Sequence, residues 1–159
     1  MAKLKKSWRE KLADDKDMPK VVEIRDNMSQ RWGTGTVVIP APREVDEIMR
    51  SVPKGKLITI NQIRERIAKR HGATIGCPIT TGIFVGIAAR AAEEDAAEGK
   101  KDITPYWRTL KVGGALKDKF PGGVEAQAAK LKAEGHTIEM GRNGKPKSVK
   151  DYKGSLVEA

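Results

Sequence analysis

The chain of 159 residues contains a single cysteine, Cys77, so it cannot form an internal disulfide. Small secreted domains commonly depend on disulfides, and their absence favours a cytoplasmic protein. No apolar run approaches the roughly 20 residues that a membrane-spanning helix needs. The N-terminus also lacks the apolar stretch of a signal peptide. We therefore expect a cytoplasmic protein with no membrane partner.

The spacing patterns of common metal, nucleotide and hydrolase sites are missing as well. His71 and His136 have no partner at metal-ligand spacing, and no phosphate-binding loop is present. We therefore expect neither a metal nor a cofactor. Cys77 can be interpreted as a small buried side chain or as a reactive thiol at the start of a helix.

Positive charge is what the chain has in excess. Its net charge is +10 with 33% of residues charged, and its isoelectric point is ≈ 9.8. Nucleic acid is the simplest partner, because Lys and Arg neutralise phosphates and release counterions. A basic surface that binds no nucleic acid is the alternative. The first segment offers several candidate phosphate contacts: Lys3, Lys5, Lys6, Arg9 and Lys11.

Apolar spacing predicts several helices and a few short strands. An apolar helical face follows Pro42, and Thr59-x-x-Gln62 is typical of a capping box that begins a helix ending at Gly72. Two further helices are expected over residues 79–98 and 124–133. The pair of helices around Gly72 indicates a helix-turn-helix.

The remaining patterns are shorter. Residues 36–39 predict a strand, and residues 136–140 and 148–152 predict a hairpin that turns at Asn143-Gly144. Val21, Ile24 and Met28 are spaced as a helical stripe. The fold class expected from these patterns is α+β, mainly α.

Segment 104–108 (Thr-Pro-Tyr-Trp-Arg) resembles the Pro-Cys-His-Arg site of the alkylguanine-DNA alkyltransferases, whose cysteine accepts an alkyl group from damaged guanine. Tyr106 stands at the position of the cysteine and Trp107 at that of its activating histidine. Five other segments are similar to the family and lie in the family's order along the chain. They are residues 52–59, 61–63, 85–88, 120–123 and 130–136. The chain is most similar to the alkyltransferase-like subgroup, which lacks the cysteine and binds alkylated DNA without repairing it.

The resemblance implies an organisation in three parts. Residues 40–137 would form a winged helix-turn-helix-like alkyltransferase C-terminal domain, preceded by a basic helical arm (1–39) and followed by a C-terminal β-hairpin (138–159). It implies a monomer, associated with the nucleoid, that binds double-stranded DNA by the minor groove. Nucleotide-excision repair proteins would be its further partners.

A base pocket is also implied, formed by Tyr106, Trp107, Arg108, Phe120 and Glu134. Tyr106 and Trp107 would stack on a base or pack as core aromatics. Side chains alternate along an extended segment, so we expect at least one of the two to line the pocket. Glu134 matches the family's histidine-orienting glutamate. We expect it to accept a hydrogen bond from Trp107 or Tyr106, unless it is a surface charge.

DNA contacts are implied along the helix-turn-helix, at Thr59, Ile60, Asn61, Thr80, Thr81, Ile83 and Gly86. Three departures from the family involve four residues. Ile60 replaces the tyrosine that rotates a phosphate, and Ile83 replaces the arginine that fills the space of a flipped base. Ile83 would be an apolar wedge or a core residue. Phe120-Pro121 replaces the Tyr-Ser pair that reads the guanine, and proline has no N–H to offer.

The function expected is therefore non-catalytic recognition of alkylated or flipped bases in duplex DNA for repair. A phenol, with a pKa of about 10, is a poor alkyl acceptor beside an activated thiolate. Two alternatives stay open. One is a winged-helix regulatory module that recognises no lesion, and the other is a methyltransferase that uses Cys77.

Overall fold

The computed structural model describes residues 7–15 and 17–158. Its helices are α1 (Trp8–Ala13), α2 (Ser29–Trp32), α3 (Pro42–Arg50), α4 (Ile60–His71), α5 (Pro78–Ala97) and α6 (Gly123–Ala133). Its strands are β1 (Lys20–Glu23), β2 (Thr36–Ile39), β3 (Ile58–Thr59), β4 (Ile75–Gly76), β5 (Thr109–Leu110), β6 (Ile138–Met140) and β7 (Pro146–Val149). The α+β class with a helical majority is confirmed.

The capping signals define the central helices as expected. At the start of α4, Thr59 Oγ1 accepts from the Gln62 N–H at 3.2 Å, and Gln62 Oε1 accepts from the Thr59 N–H at 3.1 Å. Gly72 ends the helix in the left-handed conformation with φ 64°, which glycine adopts without a steric penalty. The capping box and the C-terminal glycine are both confirmed.

Helix α5 is the longest helix described, and it follows directly on β4. Pro78 occupies its first turn, where a missing N–H costs nothing. Val85, Ala88 and Ala89 are fully buried along its inner face. A short connection with Gly72 and β4 joins α4 to α5, so the two predicted helices are confirmed as consecutive and adjacent.

Three small sheets complete the fold. β2 pairs antiparallel with β1 and parallel with β4, while β3 pairs parallel with β5. β6 and β7 form the expected C-terminal hairpin around Gly144, which has φ 76°.

The helical stripe predicted at Val21, Ile24 and Met28 is wrong. Val21 lies in β1 and pairs with Val38 of β2. Pairing with a neighbouring strand satisfies this backbone, and such tertiary pairing overrides a local periodicity. Among residues 7–15 and 17–39, helix is therefore confined to α1, the single turn of α2 and a short 3₁₀ turn at Asp26–Met28.

Two hydrophobic clusters hold the elements together. The first lies between α3, α4 and α5 and includes Tyr106 and Phe120. The second joins α6 to the strands through Leu57, Leu110 and Leu131, each fully buried. Trp107 packs against both clusters. Each fully buried aliphatic side chain contributes about 1.5–3 kcal/mol, so segment 104–110 is fixed between two cores.

Candidate nucleic-acid interface

Tyr106 points into the protein interior. Its side chain is 1% exposed, and its hydroxyl donates to Glu93 Oε1 at 2.5 Å. Its ring meets Trp107 and Phe120 edge-on, with centroid separations of 5.4 and 5.3 Å. Burial, together with the hydrogen bond to Glu93, holds the pKa of the Tyr106 phenol far above its usual range. Burial and Glu93 therefore both favour the protonated phenol.

The base platform expected from Tyr106 and Trp107 does not form. Residues Tyr106–Arg108 make a 3₁₀ turn rather than an extended strand. Successive side chains in a 3₁₀ turn point about a third of a turn apart, so the alternation expected of a strand does not apply. Tyr106 reaches the first cluster and Trp107 the boundary between the two. The interpretation of both as packed aromatics, left open above, fits the structure.

Arg108 is the main partner of Glu134. The guanidinium donates to the carboxylate through Nε at 2.9 Å and Nη2 at 2.5 Å, and its Nη1 donates to the Val52 carbonyl at 2.7 Å. Tyr106 donates to Glu93 instead, whereas the expected interaction of the Trp107 indole with Glu134 is present only as a weaker, secondary contribution. A bidentate guanidinium satisfies a buried carboxylate better than one indole or phenol donor.

The electrostatics of Glu134 follow from this pairing. Burial alone would raise the pKa of the carboxyl, but the hydrogen bonds from Arg108 and the Trp107 indole lower it below its usual range. Trp107 Nε1 itself makes no hydrogen bond of good geometry. With side chains only 13% and 8% exposed, the Arg108–Glu134 pair is a structural link between segment 104–110 and α6.

A groove of about 660 Å³ lies beside this segment instead. Its apolar floor comes from the first half of α5 and from Phe120, which is itself largely buried. Ile79 and Ile83 of α5 are 60% and 54% exposed. Gly82 lies between them without a Cβ, which permits close approach of another molecule. Ile83 is thus a surface residue, as the wedge interpretation requires.

Cationic side chains surround the groove. The loop 111–120 contributes Lys111, Lys117 and Lys119 together with Asp118, which pairs with Lys111 at 3.5 Å, and Arg90 comes from α5. Burial and the neighbouring charge of Lys111 lower the pKa of the Lys117 ammonium. An anion placed between these groups would relieve their mutual repulsion, so the rim is suited to phosphate.

The loop that carries these lysines is fixed by a buried glutamine of α6. Gln127 is 1% exposed. Its Oε1 accepts from the Lys117 N–H at 2.7 Å, and its Nε2 donates to the carbonyls of Trp107 at 3.1 Å and Thr109 at 3.0 Å. Neither Gln127 nor the lysine rim was predicted from the sequence. The cluster of lysines around Gly113 and Gly114 was the only available signal.

Several predicted DNA contacts are inaccessible in the structure. The Thr59 hydroxyl serves as the cap of α4 in a buried position, and Thr81 is fully buried in α5. The predicted DNA contacts at Thr59 and Thr81 are therefore corrected, because both side chains are buried. Thr80 is half-buried, and its Oγ1 has no hydrogen-bond partner. The Asn61 side chain accepts a hydrogen bond from Arg64 at 3.5 Å. Ile60 is half-buried and does not line the groove.

Gly86 and Lys11 do line the groove, as do Ile83 and Phe120. Of the other candidate phosphate contacts, Arg9 pairs with acidic side chains of α5, and Lys3, Lys5 and Lys6 lie outside the described residues. The groove therefore brings together a subset of the predicted residues and several that were not predicted.

The single thiol lies away from the groove. Cys77 is 6% exposed, and its N–H donates to the Val38 carbonyl at 2.9 Å.

His71 contacts Glu44 Oε2 at 2.7 Å. Across residues 7–15 and 17–158, no group of three or more His, Cys, Asp or Glu side chains could hold a metal ion. Nor is any helix in these ranges long and apolar enough to cross a membrane.

Comparison with known proteins gives a match only at the level of structure. No protein-family model matches the sequence, and no curated protein matches it. Two solved structures from S. pombe are similar: Atl1 in complex with damaged DNA containing O6-carboxymethylguanine, and ATL in complex with DNA. Each has a TM-score of 0.53 and 18% identity, over 74% of this chain and 94% of the other. This chain has the alkyltransferase-like fold. The fold expected from segment 104–108 and from the other family-like segments is thereby confirmed.

Proposed function

We propose that the chain is a non-catalytic DNA-binding protein that recognises alkylated or flipped bases in duplex DNA for repair. The groove carries this proposal, because it combines an exposed apolar helix face with a cationic rim. Its volume of about 660 Å³ lies within the range of ~300–1,000 Å³ typical of ligand sites. The extrahelical base would enter beside Phe120, not beside Tyr106. The S. pombe Atl1 structure supports this proposal, since that protein of the same fold was solved with damaged DNA.

In the proposed complex, α5 approaches the DNA with its exposed half. Ile83 would act as an apolar wedge in the space of the displaced base, as apolar side chains do in other minor-groove binders. Lys117 and Lys119 would contact phosphates of the flanking strand. Phosphate contacts supply affinity without sequence preference, so the apolar floor would provide the preference for a damaged base.

No alkyl transfer is part of this function. The resemblance places Tyr106 at the nucleophile position, and this residue is a buried phenol whose raised pKa favours the protonated form. Cys77 is buried and does not line the groove. Exposure to alkylated oligonucleotide should leave the protein mass unchanged. A mass gain that disappears in Cys77→Ala would replace this proposal with the methyltransferase alternative.

The second candidate function is a DNA-binding module that recognises no lesion. The packing of Tyr106 and Trp107 against the hydrophobic clusters favours it, because neither side chain lines the groove. Partnership with nucleotide-excision repair proteins, a monomeric state, a winged helix and a nucleoid location stay predictions.

Fluorescence anisotropy with matched duplexes, with and without one O6-alkylguanine, tests the proposal. Affinity should fall by orders of magnitude between about 50 and 200 mM salt if roughly six or more phosphates are contacted. The alkylated duplex should bind more tightly. Equal affinity for both duplexes would select the module without lesion recognition, and absence of binding at low salt would exclude both functions.

The variant Ile83→Glu tests whether Ile83 contacts the DNA, and Met140→Glu is its control. Both replace an apolar residue that is about half exposed, 54% for Ile83 and 53% for Met140, and both change the net charge equally. Surface substitutions of this kind alter stability by about 0.5 kcal/mol or less. We expect Ile83→Glu to weaken DNA binding by about tenfold, which is about 1.4 kcal/mol, while Met140→Glu stays near the wild type. Equal effects would show that Ile83 makes no specific contact.

A further inference from the structure

We propose that helix α1 forms one wall of the DNA-binding groove, with Trp8 and Lys11 as contacts to the nucleic acid. This inference rests on the proposed DNA binding and extends it to a segment outside the family-like region 40–137. Trp8 and Lys11 both line the groove opposite the lysine loop. An alternative role for such a helix would be to cover the site and block it.

Helix α1 is attached to α5 by Arg9. The guanidinium donates to Glu98 Oε2 at 2.6 Å and Oε1 at 2.7 Å, and it lies 3.5 Å from Asp95 Oδ1. The Arg9 N–H also donates to Glu94 Oε1 at 2.8 Å. Leu12, on the same helix, packs against the first hydrophobic cluster. These contacts fix α1 along the second half of α5.

The attachment places the Trp8 and Lys11 side chains in the groove wall. The Lys11 ammonium lies 4.1 Å from the centroid of the Trp8 ring, and the Arg90 guanidinium lies 5.0 Å from it. Both cations are thus held on an aromatic ring at the groove edge. Cations held against an indole in this way can bind a backbone phosphate, and the rest of the indole can contact a sugar.

The position of α1 makes it a wall rather than a cover. Ile79 and Ile83 remain 60% and 54% exposed with α1 in place. The first half of α5 is therefore open to a partner. Arg9 also neutralises acidic side chains on α5, which would otherwise repel phosphates near the groove.

Charge reversal at Arg9 tests the attachment. Arg9→Glu should repel the acidic face of α5 and release α1, whereas Lys132→Glu makes the same change in net charge on an exposed position of α6. We expect Arg9→Glu to weaken duplex binding severalfold more than Lys132→Glu. The double variant Arg9→Glu/Glu98→Arg restores an ion pair and the wild-type net charge, so it should recover most of the affinity. Circular dichroism confirms that the variants remain folded.

The slope of affinity against salt tests the contact itself. Lys11→Ala should lower that slope by about one, as expected for the loss of one phosphate contact. Lys132→Ala should leave it unchanged. If Arg9→Glu binds DNA more tightly than the wild type, α1 is a cover and the inference is wrong. Equal effects at Arg9 and Lys132, or an unchanged slope for Lys11→Ala, would overturn it too. Wild-type binding is measured first, so a failure of the proposed function itself would be recognised separately.

Discussion

The resemblance predicts that Tyr106 takes the position of a reactive cysteine, and in the structure its side chain belongs to the packed interior. The hydroxyl is buried and donates to Glu93 at 2.5 Å. The half-buried carboxylate of Glu93 beside the phenol favours the protonated phenol, because ionisation would place two negative charges together. The residue thus joins the turn after Pro105 to α5.

Tyr106→Phe should destabilise the protein by about 1–3 kcal/mol at pH 8, because Glu93 loses a donor in a partly buried position. The difference from the wild type should shrink at high pH. The folded-state pKa of Tyr106 is raised, so its stabilisation is complete below the unfolded-state pKa of about 10. It is lost as the pH rises further, by up to about 1.4 kcal/mol per pH unit.

Urea unfolding at pH 8 and pH 11 measures this effect. Tyr152→Phe, at a half-buried tyrosine near the C-terminus, is the control and should keep the wild-type loss of stability between the two values. If Tyr106→Phe loses as much stability as the wild type over this range, the Tyr106 phenol does not carry the effect.

At the scale of elements, the groove depends on how α6 holds the loop 111–120. Gln127 bridges this loop and segment 104–110 through its hydrogen bonds to Lys117, Trp107 and Thr109. The loop also contacts the C-terminal hairpin, since the Leu116 N–H donates to the Lys147 carbonyl at 3.0 Å. The lysines of the rim are therefore placed by two elements that come later in the chain.

Gln127→Leu should destabilise the fold by about 1–3 kcal/mol for each backbone group left unsatisfied in the interior. Gln30→Leu, on an exposed position, is the control and should have little effect. Thermal unfolding measures the loss. In folded Gln127→Leu protein, affinity for duplex DNA should also fall, because the Lys117 N–H loses its hydrogen bond to Gln127. Unchanged stability and affinity would contradict the role of Gln127 in holding the loop 111–120.

At the scale of the whole molecule, the C-terminal segment closes the fold. The Leu57 N–H donates to the Ser155 carbonyl at 2.9 Å, and the Val157 N–H donates to the Leu57 carbonyl at 2.8 Å. Gln62 Nε2 of α4 donates to the Val157 carbonyl at 2.8 Å. Residues far apart in sequence are thus joined around the second cluster.

Removal of residues 156–159 should cost about 3 kcal/mol or more, because Leu156 and Val157 lose apolar burial and Leu57 loses a partner. A loss of that size lowers the melting temperature by roughly 6–12 °C. Removal of residues 158–159 alone retains these contacts and should shift it much less. Calorimetry on the two truncated proteins provides the comparison, and equal melting temperatures would show that the segment does not close the fold.

The sequence by itself determined the local elements and the fold class. The Thr59–Gln62 capping box, the Gly72 terminus and Pro42 in the first turn of α3 all act through neighbours within a few residues. Such signals need no tertiary partner. The order of the family-like segments also indicated the correct fold, which the two similar structures confirm.

Only the tertiary structure decided where the side chains of the site point. The 3₁₀ turn at Tyr106–Arg108 directs Tyr106 inward and leaves Trp107 half-buried between the two clusters, and Arg108 reaches Glu134 across 26 residues of sequence. The groove joins α1, α5 and the loop 111–120, which no local pattern brings together. Val21 likewise became a strand residue because β2 was available to pair with it. Helix caps depend on adjacent residues, whereas side-chain direction, ion pairing and grooves depend on contacts between segments that are distant along the chain.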